Sequence, residues 1–185
     1  IEEVLAEDAA NVEALKMRAG WLIDEDRPGE AIVDLRTALG QAPRDPAILT
    51  LMAAAHERDG NPELAGERLA LAVEVSGSAP EESLRYARFL LQQGRTQAAD
   101  TVLTDARRVS PGHVGVLALL ADIALGTQDW PRAQEIANTL ARLETPDAEA
   151  AARTLHAALL LGQNRTEDGL AFLEEQVGKG GNDLA

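Results

Sequence analysis

Residues capable of acid–base, nucleophilic or metal-binding chemistry are present, but they are not grouped as catalysis requires. The three histidines, His56, His113 and His156, are far apart in the sequence. No two are spaced to share one helix face, and neither an HExxH pattern nor a glycine-rich phosphate loop after a strand occurs. The absence of cysteine excludes disulfides, thiol nucleophiles and cysteine-based zinc sites. We therefore predict no catalytic residue, no cofactor, no metal site and no enzymatic activity.

Several polar residues have simpler explanations than a binding site. The acidic run at residues 24–26 lacks the ligand spacing of an EF-hand loop, so we expect a solvated turn. The triplet at residues 164–166 fits the N-glycosylation sequon, which is common by chance. We expect His56 to pack with a polar edge, and His113 to lie in a turn. Carboxylates are abundant, but the pattern brings no two of them into a defined pocket for general acid–base catalysis.

Composition and charge limit the class of protein and partner. Of the 185 residues 45% are hydrophobic and 3% aromatic, so a core must be built mainly from alanine and leucine. The net charge of −14 argues against binding duplex nucleic acid, which requires a basic surface. No apolar run is long enough to span a bilayer. Residues 1–34 carry ten acids against three bases, whereas residues 80–113 carry four acids against five arginines. This distribution fits either an ordinary solvated surface or a local basic patch.

Alanines recur with a period of 34 residues along most of the chain. The series are Ala31, Ala65, Ala99 and Ala133; Ala19, Ala53, Ala87 and Ala121; and Ala38, Ala72 and Ala106, followed by Leu140. Each period holds two apolar stripes at helical spacing, separated by a polar break rich in glycine, proline or aspartate. Stacked helix pairs recur with such a period. Small residues at fixed places in each pair let the two helix axes approach closely. The pattern therefore predicts an all-α repeat protein with these alanines in its core.

The repeated pattern resembles the tetratricopeptide repeat, whose consensus is W-x2-L-G-x2-Y, then A-x3-F, then Pro. The first copy reads Leu15-x2-Arg18-Ala19-x2-Leu22, then Ala31-x3-Leu35, Ala38 and Pro43. Four copies keep the same phase over residues 12–147. The resemblance implies an all-α, right-handed solenoid of antiparallel helix pairs. The arginine- and alanine-rich composition is similar to that of bacterial members of the family.

The phase of the repeats predicts the domain boundaries. We expect the second helix of a truncated preceding repeat at residues 1–11, repeats at 12–45, 46–79, 80–113 and 114–147, a degenerate fifth helix pair at 148–178, and a flexible tail at 179–185. Ile1 takes the place in the phase that Leu35 has in a second helix. The expectation is therefore a piece of a longer bacterial protein.

In this family the first helix of each pair lines a concave groove, so the resemblance implies which residues face it. The expected groove residues are Lys16, Ile23, Thr50, Arg58, Leu84, Arg88, Leu91, Gln92, Asp122 and Leu125. Some members hold a peptide's terminal carboxylate with lysine and asparagine at set inner positions. Lys16 fits one such position, but Gly20 and Ala54 stand where asparagine is needed. We therefore do not expect that clamp here.

The two arginines of the expected groove give it a predicted chemistry. Arg58 and Arg88 should point into one stretch of the groove, with Leu84 and Leu91 beside Arg88 as an apolar floor. Such a surface suits an acidic or C-terminal protein segment with a hydrophobic anchor. Alternatively, both arginines pair with acidic neighbours and only keep the surface soluble.

The function that the resemblance implies is protein–protein recognition, as a scaffold or assembly factor that binds a partner segment in the groove. One alternative is self-association into a homo-oligomer through an end or an exposed helix face. Another is a regulatory or targeting role for an enzyme whose catalytic part lies outside these residues. The absence of cysteine fits both the cytoplasm and the bacterial cell envelope or periplasm.

Overall fold

The computed structural model describes residues 1–163 together with Glu167 and Ala171, and this part contains helices and no strand. Within it the helices are α1 (Glu2–Glu7), α2 (Val12–Asp24), α3 (Pro28–Gln41), α4 (Pro46–Arg58), α5 (Pro62–Val75), α6 (Pro80–Gln92), α7 (Thr96–Val109), α8 (Val114–Gly126), α9 (Trp130–Ala141) and α10 (Pro146–Gly162). The starts of α2, α4, α6 and α8 recur at the 34-residue step, and so do the starts of α3, α5, α7 and α9. The predicted all-α class of paired helices is confirmed.

Each of the helices α2, α4, α6 and α8 is followed by a residue in the left-handed backbone conformation. Asp26, Gly60, Gly94 and Gln128 have φ angles of 60°, 73°, 70° and 58°. A residue of this conformation ends a helix by turning the chain out of it. Glycine adopts it without a Cβ penalty, whereas aspartate and especially glutamine are strained there. The polar breaks in the sequence therefore stop the first helix of each pair.

Two proline-led helix starts differ in how their N-cap side chains are used. Before α4, Asp45 Oδ1 accepts a hydrogen bond from the backbone amide of Ala47 at 2.8 Å and so caps the helix. Asn61 occupies the N-cap position of α5, but its side chain makes no capping bond. Its Nδ2 instead donates to Asp59 Oδ2 at 2.7 Å, because that carboxylate lies two residues upstream.

The chain forms two compact units, Ile1–Val102 and a second that begins at Leu103. In the first unit α2 packs against α3 and α4, α3 against α4, α4 against α5, and α5 against α6. Leu15, Leu35 and Ile48 are at most 2% exposed in its core. In the second unit α8 packs against α9 and α10, and α9 against α10, around Leu120 and Ile136.

The recurring alanines lie in the core, as the period predicts. None is more than 3% exposed: Ala19, Ala31, Ala38, Ala53, Ala65, Ala72, Ala87, Ala99, Ala106, Ala121 and Ala133. Because alanine ends at Cβ, close packing at these positions leaves no room for a larger side chain without movement of the helices.

An ion pair between the half-buried Arg18 and the buried Asp34 joins α2 to α3 in the first unit. Arg18 Nε donates to Asp34 Oδ2 at 2.7 Å, and its Nη2 donates to Asp34 Oδ1 at 2.8 Å. Asp34 is 7% exposed, so this two-point contact satisfies a carboxylate that water hardly reaches. The hydrogen bond with Asp34 raises the pKa of Arg18, which stays charged.

The last predicted elements are described only in part. α10 begins at Pro146, earlier than the 34-residue step from Val114 would place it, so the phase shifts before the fifth pair. The remainder of the predicted pair at 148–178, apart from Glu167 and Ala171, lies outside the described residues. The same holds for the predicted tail at 179–185 and the triplet at 164–166.

Candidate functional site

An open cleft of about 240 Å³ lies between α4, α5 and α6 in the first unit. Its polar lining comes from two helix faces, with Thr50 and Glu57 on α4 and Arg85, Arg88 and Gln92 on α6. The α6 residues are spaced by three and four positions, which places them along one side of that helix. The facing sides of α4 and α6 therefore form opposite walls of one cleft.

The floor of this cleft is apolar. Ala53, Leu69 and Phe89 line it, and they belong to one hydrophobic cluster together with Ala65. Leu69 is 5% exposed and Phe89 is 7% exposed, so both are held by packing from beneath. A preformed apolar floor of this kind suits an aliphatic or aromatic anchor of a ligand, because its side chains lose little conformational freedom when the ligand binds.

Two cations of the lining have no counter-ion in the described part of the chain. Arg85 and Arg88 are exposed, and no hydrogen bond or ion pair to another described residue holds either of them. Desolvation raises the pKa of Glu57, a carboxylate in the same lining. Because Arg85 and Arg88 have no partner among the described residues, the cleft can offer both guanidinium groups to an anionic ligand.

The structure brings together three of the predicted groove residues and separates a fourth from them. Thr50, Arg88 and Gln92 line the α4–α6 cleft. Arg58 is outside its lining, and its Nη1 lies 3.6 Å from Asp26 Oδ1. Arg58 is thus directed to the turn that follows α2, because the acidic run there supplies a carboxylate.

Lys16 and Ile23, both on α2, are engaged within the protein. Lys16 Nζ donates to Glu13 Oε1 at 3.0 Å and to Asp45 Oδ2 at 3.2 Å. The hydrogen bond to Glu13, followed by the contacts with Asp45, raises the pKa of Lys16. Ile23 is 8% exposed and belongs to the core of the first unit. In this structure Lys16 therefore connects α2 to the start of α4.

The two leucines predicted beside Arg88 do not line the cleft. Leu84 is 4% exposed, and Leu91 is half-buried. The apolar surface next to Arg88 comes instead from Leu69 and Phe89. Leu69 belongs to α5. It reaches the cleft floor because α5 packs directly against both α4 and α6.

The remaining predicted groove residues lie in the second unit. Asp122 and Leu125 are on α8, where they line a cleft of about 210 Å³ between α8 and α10. Their spacing of three residues places them on one side of α8.

Sequence reasoning did not single out Arg85, Leu69 and Phe89. Arg85 holds a position that Met17 and Leu51 occupy in the preceding repeats, so the alignment gave it no groove role. The spacing of three residues between Arg85 and Arg88 was a usable signal, because it puts both on one helix side. Leu69 and Phe89 have the types and spacing of core residues, and their second role is visible only in the packed structure.

Two of the histidines have structural roles on their helices. His56 is 4% exposed, and desolvation, followed by the charges of Arg68 and Arg36, lowers its pKa. It is therefore neutral near pH 7, as the predicted packing role requires. His113 lies at the N-cap of α8, where its Nδ1 accepts a hydrogen bond from the amide of Val116 at 3.3 Å.

Metal-ligating groups are scattered in the described part of the chain. Nowhere in it do three or more histidine, aspartate or glutamate side chains come together in a way that could hold a metal ion. Among the same residues, no helix combines the length and apolar character needed to cross a lipid bilayer.

Part of the chain matches a known protein family. Residues 90–159 match a family model described as tetratricopeptide repeat. No curated protein matches the sequence significantly. A solved tetratricopeptide repeat protein from Parabacteroides merdae ATCC 43184 is similar in fold, with a TM-score of 0.75 and 16% sequence identity over 93% of this chain and 68% of that one.

Two further solved structures share the fold at low identity. PilF of Pseudomonas aeruginosa has a TM-score of 0.67 and 20% identity, covering 91% of this chain and 76% of its own. YrrB, described as a tetratricopeptide repeat protein with an unusual peptide-binding site, has a TM-score of 0.66 and 11% identity, covering 96% and 90%. Residues 90–159 thus match the tetratricopeptide repeat, and the solved structures share the all-α fold of helix pairs that recur every 34 residues.

Proposed function

We propose that this chain is a protein-interaction module, a scaffold or assembly factor that binds a segment of a partner protein in the α4–α6 cleft. The observation that carries the proposal is that Arg85 and Arg88 stand without counter-ions, among the described residues, beside an apolar floor of Leu69 and Phe89. A preformed helical surface of this family supports recognition of a peptide segment with little rearrangement.

The lining indicates the chemistry of the bound segment. A carboxylate, from an acidic side chain or a chain terminus, forms charge-assisted hydrogen bonds with guanidinium groups. A neighbouring aliphatic or aromatic side chain of the segment would cover Leu69 and Phe89. Because the chain carries a net charge of −14, an acidic partner is repelled at long range, so affinity must come from contacts inside the cleft.

Selection from a random peptide library tests this proposal while the partner is still unidentified. The bait is the parent chain or its Arg85→Glu/Arg88→Glu variant. A matched control is Arg44→Glu/Arg142→Glu, which makes the same charge change at two exposed positions outside the cleft. We expect the parent and the control to enrich peptides with an acidic residue or free C-terminus next to an apolar anchor, and the cleft variant to lose them. Equal enrichment by all three baits would contradict the proposal.

A second candidate is self-association through an apolar surface on α2 and α3. Met17, Trp21 and Val33 are 55%, 57% and 60% exposed, unusually high for large apolar side chains. Met17 and Trp21 are four residues apart and share one side of α2. Light scattering should then give the mass of a dimer for the parent and of a monomer for Trp21→Glu. A monomeric parent at all concentrations would exclude this candidate.

A further inference from the structure

The cleft between α8 and α10 differs chemically from the cleft between α4 and α6. Its walls are formed almost entirely by small and aliphatic side chains: Ala118, Ala121 and Leu125 of α8, Leu140 of α9, and Ala151, Leu155 and Ala158 of α10. The alanines on facing helices leave an open channel of about 210 Å³ rather than filled contacts. A ligand group that enters it must therefore be largely apolar and narrow.

Asp122 is the charged member of this lining. No hydrogen bond or ion pair from any described residue reaches its carboxylate. Thr154, the polar α10 residue of the same lining, has another partner, since its Oγ1 donates to the carbonyl of Ala150 at 3.0 Å. Arg153 Nη1 lies 3.8 Å from Glu149 Oε2 on its own helix. The lining of the apolar channel thus contains one exposed anion to which the described part of the protein supplies no cation.

Asp122 remains exposed to solvent, but the walls of the cleft remove part of its hydration. Partial burial raises the pKa of its carboxyl group, because the apolar walls disfavour the charged form. Because the carboxylate is exposed, water screens an ion pair formed there, and the pair contributes modestly to affinity.

We propose that the α8–α10 cleft receives a lysine side chain of a partner protein. The apolar stem of the lysine lies along the alanine and leucine walls, and its ammonium group donates to Asp122. Lysine fits both parts of the site, because it carries a compact charge at the end of a flexible four-carbon stem. The site rests on the second unit alone, so it stands or fails independently of the α4–α6 cleft.

An NMR titration of the whole ¹⁵N-labelled chain tests this assignment. The probes are N-acetyl-lysine-N-methylamide and its norleucine counterpart, which has the same apolar stem but no charge. We expect the lysine probe to shift amide signals of α8 and α10 around Ala118, Asp122 and Ala151 with millimolar affinity, as is usual for a single side chain. The norleucine probe should bind about threefold to fivefold more weakly, because it lacks the hydrogen bond to the exposed carboxylate.

Two variants and one control connect the binding to the cleft. Asp122→Asn should weaken binding of the lysine probe about threefold to fivefold while leaving binding of the norleucine probe unchanged. Ala118→Leu should block both probes by filling the channel. Glu144→Gln removes an exposed carboxylate outside the lining and should have no effect.

Four results would overturn the assignment. They are equal affinity for the two probes, full affinity of Asp122→Asn for the lysine probe, shifts confined to other helices, and no shift at about 50 mM lysine probe. Tighter binding of a free diamine such as cadaverine than of the lysine probe would likewise overturn it, in favour of a small-molecule site. The Arg85→Glu/Arg88→Glu variant used in the peptide selection keeps Asp122, so the two experiments test the two proposals independently.

Discussion

Replacing Gly66 by alanine tests the contact that shapes the floor of the α4–α6 cleft. A Cβ atom on Gly66 would lie 3.0 Å from Cε1 and 3.4 Å from Cζ of Phe89. Carbon atoms in contact are normally about 3.5–4.0 Å apart, so the ring would have to move by about half an ångström. Space for this movement exists, because Phe89 borders the cleft on one side and a second cavity, lined by Tyr86, on the other.

The size of the effect follows from two opposing contributions to the free energy of unfolding. Alanine instead of glycine inside a helix stabilises it by about 0.5–1 kcal/mol. Forcing a packed ring out of its position costs about 1 kcal/mol. Gly66→Ala should therefore change the free energy of unfolding by less than about 0.5 kcal/mol. Gly20→Ala, where no atom lies within 4 Å of the new methyl group, should give the full gain of about 0.5–1 kcal/mol.

Urea unfolding of a double-mutant cycle separates these contributions. In a Phe89→Leu background the shorter side chain removes the overlap, so Gly66→Ala should recover a gain comparable to that of Gly20→Ala. The expected coupling between positions 66 and 89 is about 0.5–1 kcal/mol. A coupling of zero, or an equal gain for Gly66→Ala and Gly20→Ala in the parent, would refute the close approach of α5 to the Phe89 ring.

The remaining predictions concern packing, charge and backbone. Ala99→Phe overpacks a position that is 0% exposed and should cost about 1–3 kcal/mol, seen as a lower Tm. Asp34→Asn loses the two-point contact with Arg18 and should cost about 1–3 kcal/mol in urea unfolding. Gln128→Gly relieves a positive φ and should raise stability by about 0.5–1 kcal/mol in the same assay. Since burial raises the pKa of Asp122, its ionised form opposes folding above that pKa and the cost vanishes below the ordinary aspartate value. Asp122→Asn should thus be slightly more stable than the parent at pH 7, only slightly because solvent screens the exposed carboxylate, and equal to it in acid.

The period of the sequence was sufficient to predict the helices, because one spacing recurs in residue types that each have a physical role. Alanines mark the helix crossings, and breaks such as residues 59–62 carry the glycine and proline that separate two helices. The side chain of Asn61 shows the limit of this reasoning. Asn61 precedes α5 at the N-cap position, but its Nδ2 donates to Asp59 Oδ2 and its side chain makes no capping bond, a choice of partner that the residue types do not specify.

The candidate site was less predictable, because it depends on which side chains are already engaged. Arg58 and Arg88 look equivalent in the sequence, yet Asp26 lies near only the first of them. Lys16 occupies an expected groove position, but two carboxylates bind it within the first unit. Such contacts join residues from different helices, and no single-helix pattern specifies them.

The central claim is tested most directly by reversing a charge in the cleft and a charge in the ligand and measuring the binding affinities by calorimetry. Two ligands are compared. One is an acidic peptide enriched by the parent chain in the library selection, and the other is the same peptide with its acidic residue replaced by lysine. The account predicts that Arg88→Glu binds the acidic peptide at least about tenfold more weakly than the parent and binds the lysine peptide better than the parent does. Arg44→Glu should resemble the parent with both peptides. Unchanged affinity of Arg88→Glu for the acidic peptide would contradict the claim that the α4–α6 cleft is the binding site.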